Sequence, residues 1–533
     1  MSADIYITDL PNRVVGGFQP ARGMGEGWIA VNYETATRSG IGVAAGARSG
    51  ASELVLELGL EGDYILQLAL GTGAALRVWL DGDVGYREFE TQHGGNALQE
   101  CRLHAANLTG KRLNIALKDD GKPKPTYLGY IRAVKAEAPY QSARNLVATN
   151  DGWSWVAMGE LQTVRDVSRF FTPFHDSDFR LMLWGPAGAD FSGNHRTEVG
   201  TIAPTEPTYA FRDCDRVHAE TWKAFLETGG DILKAAVANA REVGIDIHFY
   251  IRMEAFYGPF PWEGTFNTRF YEQHPEWRCQ DEFGDQVQRM SYAYPGVQDH
   301  MIAYFKELLE YGPDGLCFAF NRGLPMMIAE PPVLAEFERQ TGRKPNLPEE
   351  IDSEEMIAAR TAIMSGFMQR VHDLLAARGL ALSCIVLPNI EYNRTCGLDL
   401  EALVENGIFE SVMVHSGGFH AHGVALHDEP FWQRLRDSGK TKVYPNGWCG
   451  SYDYVETARF LKETVFDQGF AGGFFWDTEN YTANPYNWHP IRQGGTPEFL
   501  QRTIDRTIEA PLIERHTRIQ GVKLDRYTPQ NSY

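Results

Sequence analysis

At 533 residues, with 43% hydrophobic and 23% charged residues, the chain reads as globular and too long for one ordinary core, so two or more domains are expected. Its formal net charge of −20 argues against nucleic acid as the main partner, because backbone phosphates need a basic face, and says little about neutral sugars. Met1 to Tyr6 show neither a basic n-region nor an apolar h-region, and no run approaches the roughly 20 apolar residues of a membrane helix, so a cytoplasmic protein without membrane attachment is the expectation.

Residues 1–140 alternate polar and apolar side chains in short runs such as Ser52–Leu58, Tyr64–Leu70 and Ala75–Leu80, with Gly/Asp turn clusters between them. Short strands at regular spacing predict a β-sandwich, an accessory domain that binds carbohydrate, covers a neighbouring site or only packs. Asp119–Pro125 reads as a loop before a last strand, Leu128–Ala133, and Ala136–Arg144 as the linker. The seven cysteines, scattered from Cys101 to Cys449 and free of Cys-x-x-Cys pairs, argue against a disulfide framework and a zinc ribbon.

From Leu146 the pattern changes to apolar runs alternating with helical stretches. Strands are expected at Leu146–Ala148, Arg180–Trp184, Ile247–Ile251, Leu316–Phe320, Leu382–Leu387, Val412–His415, Lys442–Tyr444 and Gly472–Trp476. The clearest is Leu316–Phe320, an unbroken apolar run between the turn Gly312–Gly315 and the polar pair Asn321–Arg322, the pattern of a strand buried on both faces. Trp222–Val243 has helical periodicity and stops at Gly244, His300–Tyr311 stops before Gly312-Pro313, and Glu354–Arg378 before Gly379. Eight such units over residues 145–533 predict the α/β class and a (β/α)8 barrel of the TIM type, enlarged by loop insertions.

Such a barrel places its chemistry at the C-terminal strand ends and in the loops that follow. The first end offers Asn150–Trp153, the second Trp184 with Asp190 and His195, the third Arg252 and Glu254, and the fourth Asn321 and Arg322 with Glu330. Asn389 and Glu391 follow the fifth, His415, His420 and His422 the sixth, Asn446 and Trp448 the seventh, and Trp476–Tyr481 the eighth. Carboxylates combined with tryptophans, arginines and asparagines suit glycosidic bond cleavage: one carboxyl protonates the leaving oxygen, and a second acts as nucleophile or activates water. Asp477 and Glu254 are the candidate pair, with roles unassigned between them, and Glu479 is the reserve. Arg252, Asn321, Arg322, His415, Trp448, Trp476 and Glu391 are the candidate substrate-binding residues. An arginine pair in one pocket would suit an acidic sugar such as a uronate.

Each carboxylate also has a plainer reading: a rim ion pair for Glu254, a turn role for Asp477, a solvated loop position for Glu479. His420-Ala421-His422 and His175-Asp176-Ser177-Asp178 contain residue types that ligate metals, but neither spacing is a metal signature, and no metal or cofactor is assigned. Gly-x-Ser-x-Gly and Gly-x-x-x-x-Gly-Lys motifs are both missing.

Several pieces together resemble the family 10-like glycoside hydrolases, a barrel group of bacterial genomes. They are Thr149–Trp153, Tyr250–Met253, His274–Trp277, Ser291–Val297, Asp314-Gly315 with Phe320–Gly323, and Cys396–Glu401. The resemblance spans residues 145–420, leaves the sandwich aside, and implies a barrel hydrolase without naming its sugar. Two positions depart from the group's pattern. Its members often carry an acidic residue where the fourth strand here has Ala319, and Asn-Asp where the third strand is followed here by Glu254-Ala255. The departures imply that the acid has moved to Glu254 or that the chemistry has changed. The retaining barrel glycosidases with Asn-Glu after the fourth strand and Glu after the seventh show another pattern, since this chain has Asn321-Arg322 and Pro445-Asn446 there.

The expectation is therefore a glycoside hydrolase that cleaves oligosaccharides or small glycosides in an exo mode, with carbohydrate as its partner. A metal-dependent sugar lyase or isomerase on the same barrel, and a carbohydrate-binding barrel without catalysis, are the alternatives. The oligomeric state, a homo-oligomer included, is left open.

Overall fold

The structure is a computed structural model of the chain. It describes residues 4–524 apart from residues 72, 92–95, 119–124, 137, 187–191, 207–209, 254–255, 257–259, 416–428, 448–452, 481 and 508–511.

Eight parallel strands form one sheet: β1 (Leu146–Asn150), β2 (Phe179–Trp184), β3 (Asp246–Arg252), β4 (Gly315–Ala319), β5 (Ala381–Val386), β6 (Ser411–Val414), β7 (Lys442–Pro445) and β8 (Phe474–Phe475). Neighbours in space follow chain order from β1 to β7, and β8 pairs with β1. A bridge between Asn446 and Phe474, with the Gly447 N–H donating to the Phe474 carbonyl at 2.7 Å, brings β7 against β8. This nearly closed parallel ring fits a (β/α)8 barrel, and its strands overlap all eight expected runs.

Residues two apart on a strand share a face. Val147, Leu183, Tyr250, Cys317, Ala319, Ile385, Met413 and Phe474 therefore fill the barrel interior, while Ala148, Trp184, Phe249, Leu316 and Phe318 pack outward among the helices. Because both sets are buried, the strands read as unbroken apolar runs.

One expected helix is two. The periodic stretch Trp222–Val243 divides into Asp213–Glu227 and Ile232–Val243. Gly229 breaks it with a φ of 74°, and Asp231 starts the second helix by accepting from the Lys234 N–H at 3.1 Å. The later helices are Pro295–Leu309 and Glu354–Ala376, the second capped by Ser353.

The N-terminal residues form antiparallel strands in two sheets. Leu54–Glu57, Arg112–Leu117, Ala75–Leu80 and Arg87–Glu90 make the smaller one, in that spatial order. The larger contains Ile29–Thr35, Ser39–Gly46, Asp63–Gly71, Ala97–Asn107 and Pro125–Lys135. Leu56, Val78 and Ile115 from one and Leu68, Leu103 and Ile131 from the other share a single apolar core.

The larger sheet is completed from the far end of the chain. Ile513–Ile519 lies between Ile29–Thr35 and Ala97–Asn107 and pairs with both. The expectation kept all of 145–533 in the barrel; this strand lies in the other sheet instead. An apolar pattern does not mark it, because its buried positions are Glu514 and His516. Glu514 accepts from Thr35 Oγ1 at 2.9 Å, Thr37 Oγ1 at 2.7 Å and Arg38 Nη2 at 2.9 Å. Among the described residues, no helix is long and apolar enough to cross a membrane.

Candidate active site

The period of two that fills the barrel continues past the strand ends. Asp151, Arg252, Asn321, His415 and Trp476 keep the parity of the interior residues Val147, Tyr250, Ala319, Met413 and Phe474. All five stand at the C-terminal rim, the end where barrels of this kind place their chemistry.

The ends of β1 and β2 are pressed together by two glycines. Gly152 has a φ of 70°, and a Cβ on it would stand 1.9 Å from the Gly185 carbonyl oxygen. A Cβ on Gly185 would stand 2.4 Å from the Asp151 carbonyl oxygen, so neither position admits a side chain. Asp151 is thereby fixed. Its carboxylate accepts from the Trp153 and Ser154 N–H groups, both at 2.8 Å, and from Ser154 Oγ at 2.5 Å.

The end of β8 is tied to β1. The Asp477 N–H donates to Thr149 Oγ1 at 2.7 Å, and Thr478 Oγ1 donates to the Thr149 carbonyl at 2.9 Å. Asp477 takes a left-handed φ of 48°, a conformation that Asp tolerates better than most residues. This turn brings the carboxyls of Asp477 and Glu479 within electrostatic reach of Asp151. Trp476 packs on the His415 ring at 4.4 Å and meets Tyr250 edge-on at 6.2 Å.

Charge at this rim is finely balanced. Burial, with the charge of Asp151 added, pushes Asp477 up to about 6, while Arg252 and Arg322 pull it back. Burial also raises Glu479 well above its ordinary value, with Asp151 and Asp477 adding to it. Both carboxyl oxygens of Glu479 are buried, and burial outweighs the nearby backbone N–H groups of Glu479 and Asp151. Burial opposes the charge of Arg252, but Tyr250, Asp151 and Asp477 outweigh it and hold its pKa above the ordinary arginine value. Arg322 is lowered by burial and by the neighbouring Arg252, and its guanidinium lies 5.2 Å from the centre of the Trp476 ring. Asn321 Nδ2 stands 3.2 Å from His415 Nδ1.

Of the residues singled out from sequence, Asp477, Glu479, Arg252, Asn321, Arg322, His415 and Trp476 thus converge. Glu254 and Trp448 lie outside the described residues, as do Asp190, His420 and His422. Glu391 stands apart: it is exposed in the first turn of the helix Ile390–Thr395, 3.4 Å from Arg394. Glu330 is fully buried and accepts from Ser291 Oγ and the Ile328 N–H, a structural position. His195 is buried with Nδ1 at 3.0 Å from the Pro186 carbonyl. His175, Asp176 and Asp178 precede β2, at the opposite end of the barrel. Among the described residues, no group of three or more His, Cys, Asp or Glu is placed to hold a metal ion.

Asp151 was not among the chosen site residues. The sequence places Asn150 and Asp151 together at the first strand end, and only the shared parity with Val147 shows which of the two turns inward. Trp153 and Trp262 also belong to this end of the barrel, with the Arg212 guanidinium 5.6 Å and 5.5 Å from their rings.

No family model matches the chain, and no curated protein matches it in sequence, so the resemblance to the family 10-like hydrolases rests on its motifs alone. Solved structures of glycoside hydrolases are similar in fold. The glycoside hydrolase domain of PelA from Pseudomonas aeruginosa shares 13% identity at a TM-score of 0.34, over 63% of this chain and 96% of that one. The catalytic domain of a β-amylase from Paenibacillus polymyxa shares 10% identity at a TM-score of 0.39, over 69% of this chain and 100% of that one. An α-galactosidase from Thermus thermophilus shares 11% identity at a TM-score of 0.33, over 95% of both chains.

Proposed function

We propose that the chain is a glycoside hydrolase whose reaction takes place at the C-terminal rim of the barrel, around Asp477. One observation carries this reading. The Asp477 carboxyl, pushed up to about 6, shares its surroundings with a second carboxylate, two arginines and a tryptophan face. Glycosidic cleavage needs a carboxylic acid to protonate the leaving oxygen and a carboxylate to meet the positive charge that develops on the ring. An acid works best when its pKa lies near the working pH, which is where burial puts Asp477.

Asp477 is the proton donor in this proposal. Both Asp151 oxygens are already engaged by Trp153 and Ser154. That leaves Glu254, two residues after Arg252 in sequence, as the nucleophile or base, with Asp151 adding negative charge beside Asp477. Glu479, whose carboxyl oxygens are buried, is a positioning residue for Asp477. Arg252, Arg322, Asn321, His415 and Trp476 hold the sugar, and the two arginines suit a uronate. Exo action on short oligosaccharides or small glycosides, a cytoplasmic setting and an N-terminal accessory β-sandwich complete the reading.

A panel of aryl glycosides and aryl uronides tests it, with Asp477→Asn and Glu254→Gln as controls. Turnover of one member, lost in both variants, supports the proposal. Sugar binding without turnover of any member overturns it in favour of a non-catalytic barrel.

A further inference from the structure

A cavity of about 900 Å³ lies away from this rim, between the N-terminal sheets and the part of the barrel that carries the segment before β2 and the last helices. Arg87, Arg102 and Arg132 reach it from the sheets, and Arg492 and Arg502 from the helices Pro485–Arg492 and Pro497–Ile504. Three carboxylates face these five arginines, in a chain whose net charge is −20. All three are engaged. Glu100 binds Arg132 Nε at 3.0 Å, and Asp176 binds Arg102 at 2.9 Å. Asp178 accepts from Tyr140 Oη at 2.8 Å and from the Ala143 and Gly495 N–H groups at 2.9 and 3.0 Å.

Three arginines are left over, of which Arg502 is exposed and two are buried. Arg87 and Arg492 are each only 6% exposed, and neither has a carboxylate at ion-pair distance among the described residues. Arg87 donates from Nη2 to the Thr482 carbonyl at 2.5 Å, while its buried Nη1 has no partner among the described residues. Arg492 donates from Nη1 to the Asp176 carbonyl at 2.7 Å. On the same helix, Nε2 of His489 is also buried without a partner. A guanidinium enclosed without a directly bonded counter-charge is disfavoured, and the longer-range charge of Glu88 on Arg87 and of Asp176 and Asp178 on Arg492 offsets this only in part. Burial lowers Arg87 to about 9, and burial with the charge of Arg102 lowers Arg492 to about 9. A bound anion reverses both effects. The stacked pair His104 and His175, 4.4 Å apart, is held at about 4 by burial, so the arginines alone supply the charge at neutral pH.

The geometry points to a binding site in this cavity for a small molecule that carries an oxyanion, a carboxylate or phosphate group, gripped by Arg87 and Arg492 beside His489. Guanidinium forks match such groups in two-point contact. Phe89, Leu103 and Trp488 line the same space and offer an apolar wall to the remainder of the ligand. The cavity is lined by none of the rim residues, although Arg87 bonds to Thr482 of the loop after β8, and the site does not depend on the glycosidase reading.

Calorimetric titration of the full-length protein with inorganic phosphate and, separately, with glucuronate tests the inference, at constant ionic strength held with chloride. Saturable binding of at least one is expected, weakened tenfold or more by Arg87→Met and unchanged by Asp477→Asn. Phosphate alone would mark a phosphorylated ligand, and glucuronate alone a sugar acid. Arg492→Lys keeps the charge but loses the fork, and gives a second reading should Arg87→Met not fold; a tenfold weakening again supports the site. No saturable binding, or binding equal in the variants and the parent, overturns it. So does glucuronate binding that vanishes in Asp477→Asn and survives Arg87→Met, since that ligand sits at the barrel rim.

Discussion

The two ends of the barrel hold similar charged side chains in opposite states. At the N-terminal end, Arg180 donates to Glu410 at 2.7 Å and to Tyr444 Oη at 3.2 Å, and Glu410 also meets Lys442 at 3.3 Å. Asp246 lies 3.8 Å from Arg180 and 3.5 Å from Arg144, and His248 bonds to Ser383 Oγ at 2.9 Å. Among the described residues, Arg252 Nε, Asn321 Oδ1 and Asn150 Nδ2 at the C-terminal end are buried with no hydrogen-bond partner, against the uncharged Asn145 Oδ1 and Ser411 Oγ at the N-terminal end. Buried polar groups are otherwise almost always paired. The charged groups of the N-terminal end are paired with one another, whereas Arg252 at the C-terminal end keeps an unfilled donor, as a rim shaped for a guest would.

Substitutions should therefore divide by end. The largest effect is expected of Asp477→Asn: kcat/KM on a responsive glycoside falls by about 10³-fold, while stability at neutral pH is kept or raised, as read from rates and urea melts. Lost stability with intact activity would exchange the roles of the two ends. Next comes pH. A donor at about 6 makes kcat/KM fall roughly tenfold per pH unit above that value, whereas a base would make it rise. The same carboxyl binds its proton more tightly in the folded chain than at its ordinary value of 3.8. Its stabilising contribution is complete below that value and is lost as pH rises through about 6, so Asp477→Asn should flatten this part of the stability curve. Arg180→Met, at the N-terminal end, should cost about 2 kcal/mol of stability and leave kcat/KM within about twofold. The smallest effect belongs to Glu391→Gln, within about 0.5 kcal/mol in stability and about twofold in rate; a larger loss of rate would return it to the substrate pocket.

What could be read from the sequence followed burial. Strands covered on both faces announce themselves as runs like Leu316–Phe320, and all eight were legible. Ile513–Ile519 was not, because its inward residues are Glu514 and His516, and Glu514 is satisfied by Thr35, Thr37 and Arg38, hundreds of residues away. The rim could be read as a set of polar strand ends, but not residue by residue. Asp151 needed the register of β1 to show its direction. Glu391 needed the cap at Asn389, whose Oδ1 accepts from the Tyr392 N–H at 2.8 Å and starts a helix that turns the carboxylate to water.

The strand Ile513–Ile519 also bears on how the molecule is made. A ribosome releases residues 29–35 and 97–107 long before residues 513–519 exist, and until then each of those strands offers a bare row of amides and carbonyls to any passing chain. The sheet begun at residues 29–35 is thus completed only after the barrel strands have emerged. A fragment cut at residue 140 would keep that open seam permanently and should self-associate, whereas Ile513–Ile519 closes it when present.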